Sequence, residues 1–311
     1  MTGALGLERV GCPAALVSII IPTRNRAPVL ARCLEALGRQ SFPAERFEVI
    51  VVDDGSADAT PATLERAAAG LRVPLRAFRQ AASRGANAAR NRGVKEARGK
   101  LVVFMDDDTI APEGWLEALV ADFQAAAHPV GTGPVLLCTE GRLPGRHRSE
   151  IASYLTEVIG PETGPGGIVV PVSANMIARR GDLLRTEFDE TVQPPSEETD
   201  WLLRSGLSVA FLPSAWVWHY KGAEELGRLR LLRLAWRRGG EGGRWTRERL
   251  RLPIGRRAET AGQALTTAAR AVAHGFLRAC WGGVAVGAGE TSRALALLGL
   301  TRRSGLGRGQ P

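Results

Sequence analysis

Three consecutive aspartates follow a short apolar segment near the middle of the chain. Residues 101–105 are uncharged and mostly of types that favour strands, and Asp106, Asp107 and Asp108 come directly after them. A continuous apolar run of this length is typical of a strand buried on both faces of a parallel sheet. Because unpaired carboxylates are costly in a dry core, we expect the aspartates to bind a cation where the strand leaves the sheet. Oxygen ligands favour Mg²⁺ or Mn²⁺, and a solvated acidic turn is the simpler alternative.

A second acidic pair stands at the end of another apolar segment. Residues 47–52 predict a strand, and Asp53 and Asp54 follow it. The carboxyl ends of parallel strands meet at one edge of a sheet, which is where open α/β sheets bind ligands. Asp53 and Asp54 can accept hydrogen bonds from a ribose hydroxyl or a base N–H. The aspartates at 106–108 can hold a metal that neutralises a diphosphate.

Strands and helices alternate through the first part of the chain. Apolar runs and helical spacing predict strands over 16–21, 47–52, 75–78, 101–105, 130–137, 209–212 and 215–220, and helices over 28–39, 61–69, 86–98 and 112–127. Gly99 is expected to cap the third helix. The alternation predicts an α/β fold with a mostly parallel, Rossmann-like sheet flanked by helices.

Four sequence blocks together resemble the family 2 glycosyltransferases of GT-A fold. The blocks read SIIIPTRN, VIVVDDGS, RGANAARNRG and ARGKLVVFMDDDT, and the likeness extends over roughly residues 17–220. The shared order and spacing of the four blocks is specific evidence for the family, whereas an isolated D-x-D motif would be weak evidence. The resemblance implies an inverting transfer of a sugar from a nucleotide-diphospho-sugar, assisted by Mg²⁺ or Mn²⁺.

The resemblance also implies roles for individual residues. Asp54 would contact a pyrimidine base and Asp53 would support its loop, while Asp108 would be the main metal ligand of the D-x-D, with His219 at a position that contacts the metal or the diphosphate. Asn175, within the strand-like segment 168–180, would lie on the acceptor side or be an ordinary turn residue. Asp106 would also bind the metal, and Arg90 and Asn91 would either help to hold the nucleotide or shape the loop. The remaining donor-binding residues would be Pro22, Thr23, Arg24, Arg90, Asn91, Asp106 and Asp107.

The reaction requires a base, and an acidic block supplies three candidates. Direct displacement at the anomeric carbon needs a carboxylate that takes the proton of the acceptor hydroxyl. The block SEETDWLLRSG resembles the family's acidic segment at a helix start and places Glu198 where the family has its catalytic aspartate. Because glutamate is one methylene longer, Glu197 and Asp200 stay open as alternatives. Acidic residues at a helix N-terminus are also stabilised by the helix dipole without any catalytic role.

The charge of the chain is concentrated at its end. The 311 residues carry a net charge of +9, and from residue 221 onward 18 Lys and Arg stand against 6 Asp and Glu. Residues 226–238 predict a basic amphipathic helix that ends at the GGEGG segment 239–243. Such a helix can lie on an anionic membrane or pack on the catalytic domain. We expect residues 1–222 to form the catalytic domain and residues 223–311 a basic helical extension.

The composition excludes several classes of protein. The four cysteines are far apart in sequence, which argues against a zinc site or a disulfide framework, and no apolar stretch is long enough to span a membrane.

We expect a cytoplasmic protein, either free or at the inner face of the cell membrane. Its predicted partners are a nucleotide-diphospho-sugar and a glycan or lipid-linked acceptor. A nucleotidyl or phosphosugar transferase and a non-catalytic nucleotide-sugar-binding or scaffold protein are the alternatives, and nucleic-acid binding ranks low because few aromatic residues accompany the arginines.

Overall fold

The computed structural model describes residues 17–141, 155, 157–161 and 169–249, with residues 261, 265, 291–293, 295 and 296. The chain divides into two compact units. The first comprises Met1–Cys138, Thr156–Thr191 and Glu197–Lys221, and the second comprises Thr139–Leu155, Val192–Ser196 and Gly222–Pro311. All the predicted site residues belong to the first unit. In the part of the chain that the structure describes, no helix is both long and apolar enough to cross a bilayer.

A seven-stranded sheet forms the centre of the first unit, with the strand order β3-β2-β1-β4-β8-β6-β9. The strands β1 to β4 are mutually parallel, β8 runs antiparallel to both β4 and β6, and β9 is parallel to β6. The strand bounds are β1 Val17–Thr23, β2 Phe47–Asp53, β3 Leu75–Arg79, β4 Leu101–Phe104, β5 Thr109–Ile110, β6 Val130–Thr132, β7 Val135–Thr139, β8 Met176–Arg179, β9 Val209–Phe211 and β10 Val217–Lys221. The predicted α/β fold with a mostly parallel sheet is confirmed.

Helices cover both faces of this sheet. Alternate residues of β1 point to opposite sides, so that Ile19 and Ile21 belong to one apolar cluster and Ile20 to another. Both clusters are buried, which explains why the strands read as continuous apolar runs. The helix bounds are α1 Ala27–Gly38, α2 Thr60–Gly70, α3 Ala86–Glu96, α4 Trp115–Ala126, α5 Arg180–Arg185, α6 Glu197–Ser205 and α7 Arg228–Arg249.

The end of α3 differs from the prediction. The helix stops at Glu96 with Ala97 as its C-cap, so Gly99 does not cap it. A Cβ atom on Gly99 would lie 2.7 Å from the backbone nitrogen of Ser18. Glycine is therefore required by the close approach of the α3–β4 connection to β1 rather than by a helix end.

A second sheet contains β5, which directly follows the three aspartates, and β10, which ends at the last residue of the first unit. It has the order β5-β10-β7, and its β10 runs antiparallel to β5 with His219 opposite Thr109. The single strand predicted over 130–137 is in fact two strands, β6 and β7, which belong to different sheets. A Cβ atom on Gly133, between them, would lie 2.1 Å from the carbonyl oxygen of Ala215, which explains the need for glycine there.

Helix α7 runs through the glycine-rich segment that was predicted to end it. It spans 22 residues and includes residues 239–243. Each glycine in a helix costs only about 1 kcal/mol relative to alanine. A Cβ atom on Gly240 would lie 2.7 Å from Ser292 Oγ, and one on Gly243 would lie 2.4 Å from the carbonyl oxygen of Arg293. The glycines thus allow close contact with helical residues around 292, and most of the predicted extension beyond residue 249 lies outside the described residues.

Candidate active site

The three aspartates lie where the chain passes from the first sheet into the second. Asp106 to Asp108 connect the carboxyl end of β4 to β5. In the sheet, β1 lies between β2 and β4, so the chain leaves β1 toward one side and later returns on the other. The carboxyl ends of the strands at such a switch point form the crevice in which open α/β sheets bind ligands.

Asp108 is surrounded by a histidine, a lysine and an arginine side chain. Its Oδ1 atom lies 2.8 Å from His219 Nε2, and its Oδ2 atom lies 2.5 Å from Lys221 Nζ and 2.7 Å from Arg26 Nη2. The pairing of β10 with β5 fixes this arrangement, because Tyr220 N donates to the backbone oxygen of Asp108. Burial alone would raise the pKa of Asp108, but the three neighbouring groups outweigh it and hold that pKa well below its usual range.

Asp107 points toward β1 instead. Its carboxylate accepts a hydrogen bond of 2.7 Å from Thr23 Oγ1 and lies 3.2 Å from Arg26 Nε. Burial raises the pKa of Asp107 to about 7, against the opposing effects of Arg26 and Thr23 and with a smaller contribution from Asp108. Asp107 therefore ties the loop after β1 to the acidic cluster.

Asp106, Asp108 and His219 form a set that fits a divalent cation. Each offers one ligand atom, and these atoms lie within 4.8 Å of one another. Two carboxylates and an imidazole are ligands that Mn²⁺ accepts readily, and the carboxylates also suit Mg²⁺. Asp106 is the most exposed of the three aspartates. The structure thus brings together the three residues that were predicted as metal ligands.

The second acidic pair anchors loops at the same edge. Asp54 accepts four hydrogen bonds, from Gln80 Nε2, Ser83 Oγ and the backbone nitrogens of residues 84 and 85. Asp53 is fully buried and accepts from the backbone nitrogen of Ser56. A carboxylate has about four acceptor positions. Asp54 therefore orders the segment 80–85, and contact with a base would require it to exchange one of these bonds.

Arg90 connects helix α6 to the group formed by Asp106, Asp108 and His219, which is called the metal-type cluster below. Its Nη2 atom lies 3.5 Å from Asp106 Oδ1 and donates to Ser173 Oγ at 2.7 Å, and its Nη1 atom lies 3.8 Å from Glu197 Oε1. The neighbouring Asn91 exchanges two hydrogen bonds of 2.9 Å with the backbone of Phe188. Both residues are buried and hold neighbouring segments of the site together, and contact of either one with the nucleotide stays a prediction.

The three carboxylates of helix α6 have different surroundings. Glu197 is buried beside Arg90, and Asp200 is buried with its Oδ2 atom 2.7 Å from Arg204 Nε. Glu198 is partly exposed, and its Oε1 atom accepts a hydrogen bond of 3.1 Å from the backbone nitrogen of Ser173. Among the residues that the structure describes, Glu198 forms no ion pair. Of the three candidates, it is the carboxylate most open to a new partner.

The remaining predicted site residues differ in how deeply they are buried. Arg24 is exposed and Pro22 is half-buried at the end of β1, so both remain open to a ligand. Asn175 lies in the core instead of facing an acceptor. Its side chain is fully buried, donates to the carbonyl oxygens of Pro134 and Ala215, and accepts from Trp115 Nε1. It holds parts of the fold together, a role that differs from both the acceptor contact and the ordinary turn residue that the sequence suggested.

Comparison with known proteins identifies the family. A sequence model of glycosyl transferase family 2 matches residues 18–185, which is more than half of the chain. The chain belongs to glycosyl transferase family 2. The resemblance seen in the four sequence blocks is thereby confirmed, and the match includes both acidic loops and Arg90.

Curated relatives of this family 2 member share only part of their length with it. It is 34% identical over 142 residues to validoxylamine A glucosyltransferase from Streptomyces hygroscopicus subsp. jinggangensis (strain 5008), which covers 46% of this chain and 33% of the relative. It is 36% identical over 101 residues to glycosyltransferase AglE from Haloferax volcanii, covering 32% of this chain and 33% of the relative. The matches thus span about a third of the length of these relatives.

Solved structures share the fold at low sequence identity. S. aureus TarS 1-349 in complex with UDP has a TM-score of 0.54 and 18% identity, covering 90% of each chain. The mannosyltransferase PcManGT from Pyrobaculum calidifontis, in complex with GDP-Man and Mn²⁺, has a TM-score of 0.55 and 21% identity, covering 76% of this chain and 65% of its own. These similarities confirm the GT-A-like fold of this family 2 member.

Sequence reasoning missed three residues of the site. Arg26 and Lys221 both contact Asp108, and Ser173 bridges Arg90 and Glu198. Lys221 could have been found, because it lies two positions after His219 in a strand, and such residues share a face. Nothing in the sequence of this family 2 member indicated that Ser173 would lie beside the acidic helix.

Proposed function

We propose that the protein is an inverting, metal-dependent glycosyltransferase that moves a sugar from a nucleotide-diphospho-sugar to a hydroxyl acceptor. A chain of contacts carries the proposal. Asp106 lies beside Arg90, Arg90 donates to Ser173, and the backbone nitrogen of Ser173 donates to Glu198. A metal-type cluster and a carboxylate without an ion pair among the described residues are thus held in one network, as a reaction with a charged leaving group and a base requires.

The proposed reaction is a single in-line displacement. The acceptor oxygen attacks the anomeric carbon, and the bond from that carbon to the diphosphate oxygen breaks, so that the nucleoside diphosphate leaves with the bonding electrons. Glu198 takes the proton of the acceptor hydroxyl. Attack from the face opposite the leaving group inverts the anomeric carbon. A divalent cation held by Asp106, Asp108 and His219 would supply positive charge at the leaving diphosphate.

The donor is proposed to carry a pyrimidine nucleotide, UDP or dTDP. The support is the family resemblance, which implies that Asp54 contacts a pyrimidine base. The exposed Arg24 and half-buried Pro22 flank Thr23, whose backbone oxygen accepts a hydrogen bond of 2.9 Å from Asp54 N. Solved relatives of the same fold include TarS in complex with UDP-GlcNAc and PcManGT in complex with GDP-Man and Mn²⁺. Mn²⁺ or Mg²⁺ is the proposed cofactor of this chain.

Calorimetric binding of UDP, dTDP, GDP and CDP, each with and without Mn²⁺, tests the donor and the metal together. We expect one pyrimidine diphosphate to bind tightly to the wild type with Mn²⁺, and Asp108→Asn to lose this metal dependence. Glu35→Gln is the matched control, because Glu35 is an exposed carboxylate paired with Arg39 on α1. Transfer from the corresponding nucleotide-sugar panel follows. Binding without any transfer or donor hydrolysis would favour a nucleotide-sugar-binding protein, and no metal-dependent binding of any nucleotide would contradict the proposal.

The acceptor is proposed to be a glycan or a lipid-linked intermediate of cell-surface polysaccharide or glycolipid synthesis, met at the inner face of the cell membrane. Helix α7 supports the membrane contact, because Leu231 and Ala235 are buried while Trp236 is 45% exposed between the exposed Arg233 and Arg237. An exposed aromatic residue among arginines is suited to an anionic membrane surface.

Flotation with anionic liposomes tests this contact in the full-length protein. We expect Trp236→Ser to reduce the bound fraction. Trp218→Ser is the matched control, because Trp218 is 38% exposed but lies on β10 in the first unit. Equal flotation of the wild type and Trp236→Ser would remove this role for the helix.

A further inference from the structure

The Lys221 ammonium lies among the atoms expected to bind the metal. Its Nζ atom is 2.5 Å from Asp108 Oδ2 and 3.0 Å from His219 Nε2. Lys221 is buried, as are Asp108 and His219. One cationic group is thus in contact with two of the three metal-type ligands, and neither the sequence nor the comparisons gave it a role.

The lysine also helps to orient the histidine. Metal-binding histidines usually donate their second ring nitrogen to a carboxylate or a carbonyl oxygen, which fixes the ring. Among the residues that the structure describes, His219 Nδ1 has no hydrogen-bond partner. Nε2 either donates its proton to Asp108 or accepts one from Lys221, because one ring nitrogen cannot do both at once. The Asp108–Lys221 pair therefore does part of the positioning that a carboxylate or carbonyl usually does.

A divalent cation and the ammonium compete for the same oxygen. A metal bound to Asp108 would lie within a few ångströms of the Lys221 charge, and like charges at that distance in a buried site repel strongly. Arg26 also contacts Asp108 Oδ2, but it is one-third exposed and also pairs with Asp107. Lys221 is therefore the cation whose displacement a metal requires most directly.

We propose that Lys221 is a built-in counter-ion of the metal site. It holds Asp108 and His219 together before the metal arrives, and it lowers the affinity of the site for a free divalent cation. A nucleoside diphosphate gives the ammonium a new anionic partner, so the metal binds tightly only together with the nucleotide. This second step rests on the proposed function, whereas the competition with the metal does not.

Mn²⁺ titration of the full-length protein without nucleotide, followed by electron paramagnetic resonance, tests the competition. We expect Lys221→Met to bind Mn²⁺ at least about tenfold more tightly than the wild type, a conservative value because solvent screens part of the repulsion and Arg26 still competes for Asp108 in the variant. Lys221→Arg, which retains the charge, should stay close to the wild type. Lys95→Met is the matched control, because Lys95 pairs with Glu187 on the surface.

The two parts of the proposal have separate outcomes. Unchanged or weaker Mn²⁺ binding by Lys221→Met would show that the lysine has only a structural role and would overturn the inference. Lys221→Gln repeats the test if the methionine variant does not fold. With saturating UDP, the difference in Mn²⁺ affinity between Lys221→Met and the wild type should narrow at least several-fold, and an unchanged difference would overturn the coupling step. Sugar transfer by the wild type judges the proposed function independently of all these results.

Discussion

Replacing Glu198 with glutamine tests which carboxylate of α6 removes the acceptor proton. Glutamine retains an oxygen that can accept the 3.1 Å hydrogen bond from Ser173 N, but it cannot take up a proton at neutral pH. A positioned general base contributes about 10²–10⁴-fold to a rate. We therefore expect kcat to fall by about 10²–10⁴, which corresponds to about 2.7–5.4 kcal/mol in the activation barrier. Donor affinity should change little, because the substitution leaves the metal-type cluster intact.

The structure predicts a different effect on stability for each acidic residue of α6. Glu198 is partly exposed and accepts one backbone hydrogen bond, so Glu198→Gln should change the free energy of unfolding by less than about 1 kcal/mol. Glu197 is buried beside Arg90, and Glu197→Gln should cost about 1–3 kcal/mol. Asp200→Asn weakens an i,i+4 pair with a partly exposed Arg204 and should cost about 0.3–1 kcal/mol.

Two measurements on the same three variants separate catalysis from folding. Release of nucleoside diphosphate in a coupled assay gives kcat, and urea denaturation gives the free energy of unfolding. The reasoning predicts a large loss of kcat with normal stability for Glu198→Gln alone. Retention of more than about a tenth of wild-type kcat by Glu198→Gln would refute the assignment. A hundredfold or larger loss confined to Asp200→Asn would instead make Asp200 the base.

Two further predictions concern buried groups away from the reaction. Arg76→Leu should lower the free energy of unfolding by about 3–5 kcal/mol in urea denaturation, because it removes the 3.2 Å ion pair of the buried Glu48. The double variant with Glu48→Gln should recover part of this loss. Equal stability of Arg76→Leu and the wild type would contradict this account. Burial raises the pKa of the Cys33 thiol, helped by the nearby aspartates, so iodoacetamide at pH 8 should label half-buried Cys138 in the native protein well before Cys33. Mass spectrometry of the peptides measures both rates, and native labelling of Cys33 as fast as after denaturation would show that this part of the core opens.

The sequence predicted the elements that are set by local pattern. Strands such as β2 and β4 are buried on both faces, so they read as short apolar runs and were found without tertiary information. Because the acidic residues directly follow these strands, their place at the carboxyl edge followed from the parallel arrangement alone. The position of His219 beside Asp108 could be taken only from the family resemblance, since it depends on the pairing of β10 with β5, which are more than 100 residues apart.

The failures come from contacts between distant segments. The glycines of α7 read as a helix end, but Gly243 lies against helical residues near 293, which no local propensity reveals. Gly99 read as a cap, but the approach of Ser18 explains it. The family resemblance favoured Glu198 as the base, but the sequence left Glu197 and Asp200 open as alternatives. Their difference arises from Arg90 and Arg204, whose positions are set by the fold.

The charges around the three aspartates explain why donor and metal should be considered together. Arg26, Lys221 and Arg90 each contact at least one aspartate, so the acidic cluster already has internal cationic partners. A divalent cation added alone increases the positive charge among these side chains, and a diphosphate added alone meets the carboxylates. If both ligands bind as proposed, they would neutralise each other, and each would raise the affinity for the other by the same factor. The internal cations would then favour joint binding of the metal and the nucleotide over binding of either one alone.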